Sequence, residues 1–443
     1  MTPSARKALQ DRGAWVVVVA ILVHVLMMAS LFWGYLDPLF YPVDRSRQAL
    51  DFFAIYEAGH RAIQNVPVYE FHISSSSLAV PYASPYRYVP VFAYAFGVPA
   101  NTMPPWWAYW GWVAFNELLL VLNAYVTWRV TPDRAWRGIT TAMWFVFTPF
   151  YVELYQGQFS FLMATALFWT ALGLLHGREL QAAVPWAVSL VTKSSTALLA
   201  PLFLRIGWWR ALTLGSGFVA LNLPYFIWRP DELRLFFEDS FGSLFREAPL
   251  RYSEFWPGHL GGLSLLKNSL LTLDSSATAT PAAYTVILVG CVVGLSLLVT
   301  FASQRVDALK LLATWMSAFF LFYSVVWEFH YVMLLPVLVL LVGHRPSARP
   351  VALVVFLLLA VPTPYWLLNH VWNTGPVEPP RIVDTLQDVW PMWGVIFYHA
   401  AKPVPVAVLW AYLAVSQMRE GLTLAWFEAP VTWLQRRAAQ RAG

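Results

Sequence analysis

The chain alternates long apolar runs with short polar connectors over nearly its whole length. Apolar runs fall near 14–36, 106–128, 138–151, 158–176, 181–193, 195–205, 209–228, 282–303, 309–326, 331–343, 350–368 and 391–416. Each predicts a helix, and together they predict an all-α polytopic transmembrane bundle of about twelve spans. Several runs fall short of the roughly 20 residues that a straight crossing needs. Short runs of that kind in a large bundle are read as half-helices around a cavity. The stretch YRYVPVFAYAFGVPA (86–100) carries Pro90 and Pro99 near its ends and is predicted to be interfacial or re-entrant.

The connectors give the orientation. Arg6, Lys7 and Arg12 precede the first run and predict a cytoplasmic N-terminus. The basic connectors 129–137, 176–181, 205–210, 303–310 and 344–349, and the tail with Arg419, Arg436, Arg437 and Arg441, then all fall on that same side. The outer side receives 37–105, 229–281 and 369–390, with the short connectors 152–158, 192–195 and 327–331. In 229–245, Leu233, Phe236, Phe237, Phe241 and Leu244 recur at helical spacing, which predicts a helix lying on the membrane surface. The outer loops are too short for a separate soluble domain, so residues 1–443 are read as one integral-membrane domain.

Composition strengthens this picture. Of 443 residues 58% are hydrophobic and only 12% charged, against about 25% charged in soluble domains. The mean hydropathy is +0.54. A net charge of +5 is spread between apolar runs and forms no basic face for nucleic acid. The single cysteine, Cys291, excludes an intrachain disulfide and a cysteine-based metal site. The first run, from Ala14 to about Tyr35, is long enough to span and is not read as a signal peptide. Walker, dinucleotide-glycine and HExxH patterns do not occur, and no Asp/Glu/His cluster at ligand spacing indicates a metal.

Polar residues that are costly near lipid gather on the outer face: Asp51, Glu57, His60, Arg87, Glu153, Gln156, Gln158, Lys193, Glu328 and His330. Asp51 leads the aromatic segment DFFAIYEAGH. It reads as a general base toward a hydroxyl in a partly dry site, or as a solvated or helix-capping aspartate. Lys193, followed by Ser194 and Ser195, suits a phosphate, or snorkels at an interface. Glu328 and His330 in WEFHY could hold an anion or a sugar hydroxyl, or cap the next helix. Gln156 and Gln158 could bond sugar hydroxyls or satisfy helix ends. Glu57 could be the acid partner of His60, or both could form the polar face of a surface helix. Tyr86, Arg87 and Tyr88 could stack on a sugar and meet a phosphate, or belong to an aromatic belt.

In chain order, the segments 51–69 (ending in PVY), YRYVPVFAYAFGVP (86–99), QGQFSFLMATAL (156–167), LVTKSSTALLAPLFL (190–204) and WEFHYVMLLPVLVLLV (327–342) resemble the elements of the GT-C membrane glycosyltransferases. They are most similar to glycosyltransferase family 87, the polyprenol-phosphate-mannose-dependent α-mannosyltransferases. Asn65 stands where that family commonly has glycine, and Ser195 near where a proline commonly follows the lysine. The resemblance implies a GT-C bundle in a bacterial plasma membrane, with its active site on the extracytoplasmic face. It implies inverting transfer of a sugar, mannose first, from a polyprenyl-phosphate donor to a glycolipid or glycan hydroxyl, with no cofactor and no metal. Asp51 matches the catalytic carboxylate, and Lys193 and His330 match positions suited to the leaving phosphate, with Arg251 a looser candidate. A lipid or sugar transporter is the alternative, with an inactive scaffold subunit as a third reading. A transporter predicts paired charges at mid-span in an inverted repeat, which the sequence does not display.

Overall fold

The computed structural model describes residues 3–33, 35, 48–69, 78–82, 84–245, 258–273, 282–302, 307–323, 325–364, 368 and 390–419. Among the described residues the regular structure is entirely helical. Helix α1 (Pro3–Trp33) is followed by α2 (Leu50–Ile63), a broken helical stretch α3 (Pro90–Ala100) and the long α4 (Pro105–Val130). Two short helices, α5 (Arg134–Phe145) and α6 (Thr148–Gln156), lead into a hairpin of α7 (Ser160–Leu175) and α8 (Glu179–Thr192). Then come a 3₁₀ turn at Ser194–Leu199, α9 (Ala200–Trp228) and α10 (Pro230–Phe245). The remainder comprises α11 (Gly262–Leu273), α12 (Ala282–Ala302), α13 (Ala308–Phe322), a 3₁₀ segment Glu328–Leu334, α14 (Leu335–His344), α15 (Arg349–Ala360), α16 (Met392–Ala400) and α17 (Pro403–Arg419).

Among the described residues two helical stretches are long and apolar enough to cross a membrane, Gly13–Trp33 and Thr285–Ala302. The pair α16 and α17, bent by 48°, makes a third if it counts as one span. The helix lengths by themselves do not establish the expected bundle of about twelve spans. The apolar run 138–151 is split between α5 and α6 by non-helical backbone at Val146 and Phe147. The runs 195–205 and 209–228 join into one helix bent at Gly207. The run 331–343 starts as 3₁₀ before it becomes α14. Eleven residues of α3 at about 1.5 Å each reach about 16 Å, roughly half of a 30 Å hydrocarbon core. The stretch 229–245 is helical from Pro230 to Phe245, as α10.

Two apolar clusters meet at the turn between α6 and α7. The larger is built from α5 to α8, α13 to α15 and α17. The smaller is aromatic and joins α2, the 86–92 segment, α4, α9 and α10. Phe159 anchors it. Its ring stacks on Trp112 at 4.2 Å and lies edge-on to Phe92 and Phe96 at 5.1 and 4.9 Å. Such ring pairs add roughly 0.5–1.5 kcal/mol each beyond the area they bury. Phe159 belongs to the aromatic cluster and Phe161 to the larger one, so the chain passes from one to the other at Gln158–Ser160. The seam between the clusters holds the polar residues of interest.

His24, in the apolar stretch of α1, lies 3.0 Å from the Glu117 carboxylate of α4. The pair sits inside two apolar helices, where polar groups persist only when partnered.

Candidate functional site

Asp51 stands in the first turn of α2, and the chain around it is tightly placed. Ala49 adopts a left-handed conformation (φ 65°) and its N–H donates to the Tyr155 carbonyl at 2.9 Å. Just before it, Gln48 donates to the Tyr109 hydroxyl at 3.2 Å, and the Tyr82 hydroxyl donates to the Gln48 carbonyl. At the other side of the seam Gly157 ends α6 with φ 69°. A Cβ there would lie 2.6 Å from Phe52 Cβ and 3.3 Å from Ala49 Cα. Only glycine provides both the left-handed turn and the clearance. The α6–α7 turn is thus pressed onto the start of α2, and Gln158 faces Asp51.

Gln158 is nearly buried and all of its polar atoms are engaged. Its Nε2 donates to Asp51 Oδ2 at 2.5 Å. Its Oε1 accepts from the Tyr88 hydroxyl at 3.2 Å and from Lys193 Nζ at 3.3 Å. Its carbonyl accepts from Trp112 Nε1 at 3.3 Å, and its N–H donates to the Glu153 carbonyl at 3.0 Å. These bonds fix the amide with its oxygen toward the donors and its nitrogen toward the carboxylate. Lys193 also donates to Ser160 Oγ at 2.8 Å, which leaves a third ammonium N–H for a further acceptor. The Lys193 ammonium lies 6.0 Å from the Phe329 ring. Next to that ring, His330 Nδ1 accepts from the Trp327 N–H at 3.0 Å, so a neutral His330 carries its proton on Nε2 as a donor.

Asp51 donates no cap. The residue preceding α2 makes no side-chain cap bond, and the Asp51 carboxylate is turned to Gln158. Burial pushes the Asp51 carboxyl above its ordinary range, against the pull of Lys193, Gln158 and Arg87.

The structure therefore brings together Asp51, Tyr88, Gln158 and Lys193, with His330 in the electrostatic reach of Lys193 and Arg87 in that of Asp51. Arg87 itself is exposed. Other predicted residues are turned elsewhere. The Glu328 carboxylate pairs with Lys402 at 3.3 Å and accepts from the Thr363 N–H at 2.9 Å. Both partners of that pair are buried, and Lys402 also donates to the Leu359 and Val361 carbonyls. Glu57 accepts from the Ala79 N–H at 3.0 Å and meets Arg61 at 3.5 Å, tying the 78–82 segment to α2. His60 bonds Gln64 at 2.8 Å rather than Glu57. The Tyr86 hydroxyl donates to the Val89 carbonyl at 2.7 Å. Gln156 closes α6, half-buried. Arg251 lies outside the described residues.

Two members of the cluster were not among the predicted site residues. Glu153, noted in the sequence only as one more outer-face charge, is wholly buried beside the turn, and its Oε1 accepts from the Phe161 N–H at 2.6 Å. Ser160 contributes its hydroxyl to Lys193. The one signal for Ser160 was its place two residues after Gln158.

Residues 86–327 match the family model of glycosyltransferase family 87. That is more than half of the chain. The chain belongs to glycosyltransferase family 87. No curated protein matches it. The matched stretch of this family 87 protein contains Tyr88, Glu153, Gln158, Ser160 and Lys193, while Asp51 and His330 flank it on either side. With its apolar helices, the chain is a membrane glycosyltransferase, and a sugar donor and an acceptor follow from that activity. Membership in a transferase family does not favour the transporter reading.

Proposed function

We propose that this family 87 protein transfers a sugar, mannose first, from a polyprenyl-phosphate donor to an acceptor hydroxyl, with inversion, at the Asp51–Gln158–Lys193 cluster. The observation that carries the reading is the bridge. One buried amide holds a carboxylate at 2.5 Å and an ammonium at 3.3 Å, on opposite atoms of the same group. An inverting transfer needs that pairing. Asp51 takes the proton of the acceptor hydroxyl. The acceptor oxygen bonds to the anomeric carbon as the carbon–phosphate-oxygen bond breaks. The polyprenyl phosphate leaves with the bonding electrons, and its charge is met by Lys193, with the His330 Nε2–H as a second donor. Tyr88 and the exposed Arg87 border the carboxylate and are assigned to the sugar and acceptor.

The wider reading follows from the connectors and the resemblance. The protein is a single integral-membrane GT-C domain of about twelve crossings, several by the shorter apolar helices. Its termini are cytoplasmic and the site lies on the extracytoplasmic face of a bacterial plasma membrane. The outer segments 37–105, 229–281 and 369–390 form the active-site face, and Arg251 remains a candidate phosphate ligand.

The test is donor choice. Protein reconstituted in lipid, with an extract of native lipids as acceptor, is expected to transfer labelled mannose from polyprenyl-phosphate-mannose and not from a sugar nucleotide, as read by mass spectrometry of the product. Equal transfer from the nucleotide, without passage through a lipid intermediate, would overturn the donor assignment.

A further inference from the structure

We infer that Glu232 is a positioning residue for the transfer, holding Tyr88 against Gln158 through Tyr69; the inference rests on reading the Asp51–Gln158–Lys193 cluster as the transfer site. A carboxylate in the first turn of a helix ordinarily serves its own helix. Glu232 stands in the first turn of α10, yet its side chain is turned back on the chain that follows α2. Its Oε2 accepts from the Val68 N–H at 3.0 Å and from the Tyr69 N–H at 3.2 Å. The Tyr225 hydroxyl of α9 donates to the same oxygen and accepts from the Val68 N–H at 3.2 Å. Arg229, three residues before Glu232, lies 3.7 Å from its other oxygen and donates to the Asn65 carbonyl and Oδ1 at 2.5 and 2.9 Å. The α9–α10 junction thus grips residues 65–69 with an acid and a base together. Glu232 and Tyr69 are both buried, so the carboxylate stands where water would otherwise meet the Tyr69 N–H.

What the grip holds is the Tyr69 side chain. Its ring lies among Tyr86, Phe226 and Phe236, with centroids 5.4, 6.1 and 5.4 Å away. Its hydroxyl donates to the Tyr88 carbonyl at 2.6 Å. The Tyr88 hydroxyl in turn donates to Gln158 Oε1 at 3.2 Å, and Gln158 Nε2 meets Asp51. Glu232 therefore reaches the carboxylate through three buried residues, Tyr69, Tyr88 and Gln158, joined by hydrogen bonds at each step. Tyr88 precedes α3 and lies in irregular backbone, so no helix fixes it and its place depends on bonds such as the one from Tyr69. A shift of about 1 Å in a support of this kind can cost about 100-fold in rate.

The test uses the full chain in lipid vesicles, with polyprenyl-phosphate-mannose as donor and native lipid extract as acceptor. Tyr69→Phe keeps the ring in its socket and removes only the hydroxyl that meets Tyr88. Glu232→Ala frees the Tyr69 N–H. Each is expected to lower kcat roughly tenfold, with the donor KM little moved because Lys193 keeps its bond to Ser160. Glu232→Gln retains an acceptor oxygen and is expected to recover most of the loss. Both substitutions break one path, so Glu232→Ala is expected to add no further loss of kcat in the Tyr69→Phe background, while still lowering the temperature of unfolding there. Losses that multiply in the double variant would overturn the inference. So would a wild-type kcat in Tyr69→Phe, a result that stands even where Glu232→Ala is not recovered folded. Asp51→Asn is measured alongside. Normal transfer by that variant would remove the site reading and the inference with it, whereas its loss beside a wild-type Tyr69→Phe would overturn the Glu232 path alone.

Discussion

Asp51→Asn is expected to lower transfer by roughly 100- to 10,000-fold while the protein folds and is recovered from membranes as the wild type is. Asparagine has the shape of aspartate, and its Oδ1 can still accept from Gln158 Nε2, which now meets Asp51 Oδ2 at 2.5 Å. The bond network of the turn therefore survives, and the acid–base group alone is lost. The comparison is kcat/KM for labelled sugar transfer in lipid vesicles, with thermal unfolding as the control for folding. A pH profile adds a second reading. A base works only when ionised, and burial raises the Asp51 carboxyl above the ordinary range. Activity is therefore lost as pH falls through that raised value, and the acid limb is expected above the pH at which an exposed aspartate titrates, near 3.9. Transfer by Asp51→Asn at the wild-type rate would remove Asp51 as the base.

Lys193→Met is the second large effect expected, roughly 100- to 1,000-fold in kcat/KM, the scale of losing one preorganised donor to a developing anion. Methionine keeps the length of the stem and some of its contact with the Phe329 ring, 6.0 Å from the ammonium. It removes the only cation bonded to Gln158 and Ser160 among the described residues. The loss should appear in both transfer rate and retention of the polyprenyl phosphate product, because the same phosphate is met before and after the bond breaks. Lys193→Arg keeps a charge but brings a planar fork in place of a point charge, and it is expected to recover only part of the activity. Vesicle assays of transfer and of product binding check both. A Lys193→Met protein with unaltered product binding would place the phosphate elsewhere.

The sequence exposed the elements of this site better than their joining. Asp51, Gln158 and Lys193 each stood out because a polar residue interrupts an aromatic or apolar stretch. Nothing local shows that Gln158, 107 positions from Asp51, supplies the amide between carboxylate and ammonium. That contact depends on Gly157, whose left-handed turn and missing Cβ admit the start of α2. Glu328 illustrates the reverse. WEFHY drew attention to a carboxylate whose partner, Lys402, lies in a distant segment, and the two neutralise one another inside the bundle. Buried pairs of this kind need not carry function, since breaking them is what is costly. His24 and Glu117 are likewise paired between α1 and α4, yet each alone reads as an interruption of an apolar run.

The apolar runs located most of the helices, α2, α3, α10 and α11 lying outside them, but not where those helices break. Hydropathy reports which residues avoid water, whereas the length of a helix depends on where its backbone bonds break. Those breaks fall at Val146 and Phe147, at Gly207 and between α16 and α17, where composition stays apolar on both sides. The α3 stretch was recognisable as too short to cross because its prolines bracket it. Its close approach to α2 was not legible. A Cβ on Gly59 would come within 2.1 Å of the Gly97 backbone, and two glycines 38 positions apart give no local sign of such a contact.

The most direct test is a structure of the protein in a lipid nanodisc with polyprenyl phosphate, the leaving group of the proposed reaction. The phosphate is expected within about 3 Å of Lys193 Nζ, on the side of the ammonium not taken by Gln158 and Ser160, with the Asp51 carboxylate facing the space where the sugar would stand. A phosphate bound at another cation, with the Asp51–Gln158–Lys193 bridge intact and empty, would contradict the account.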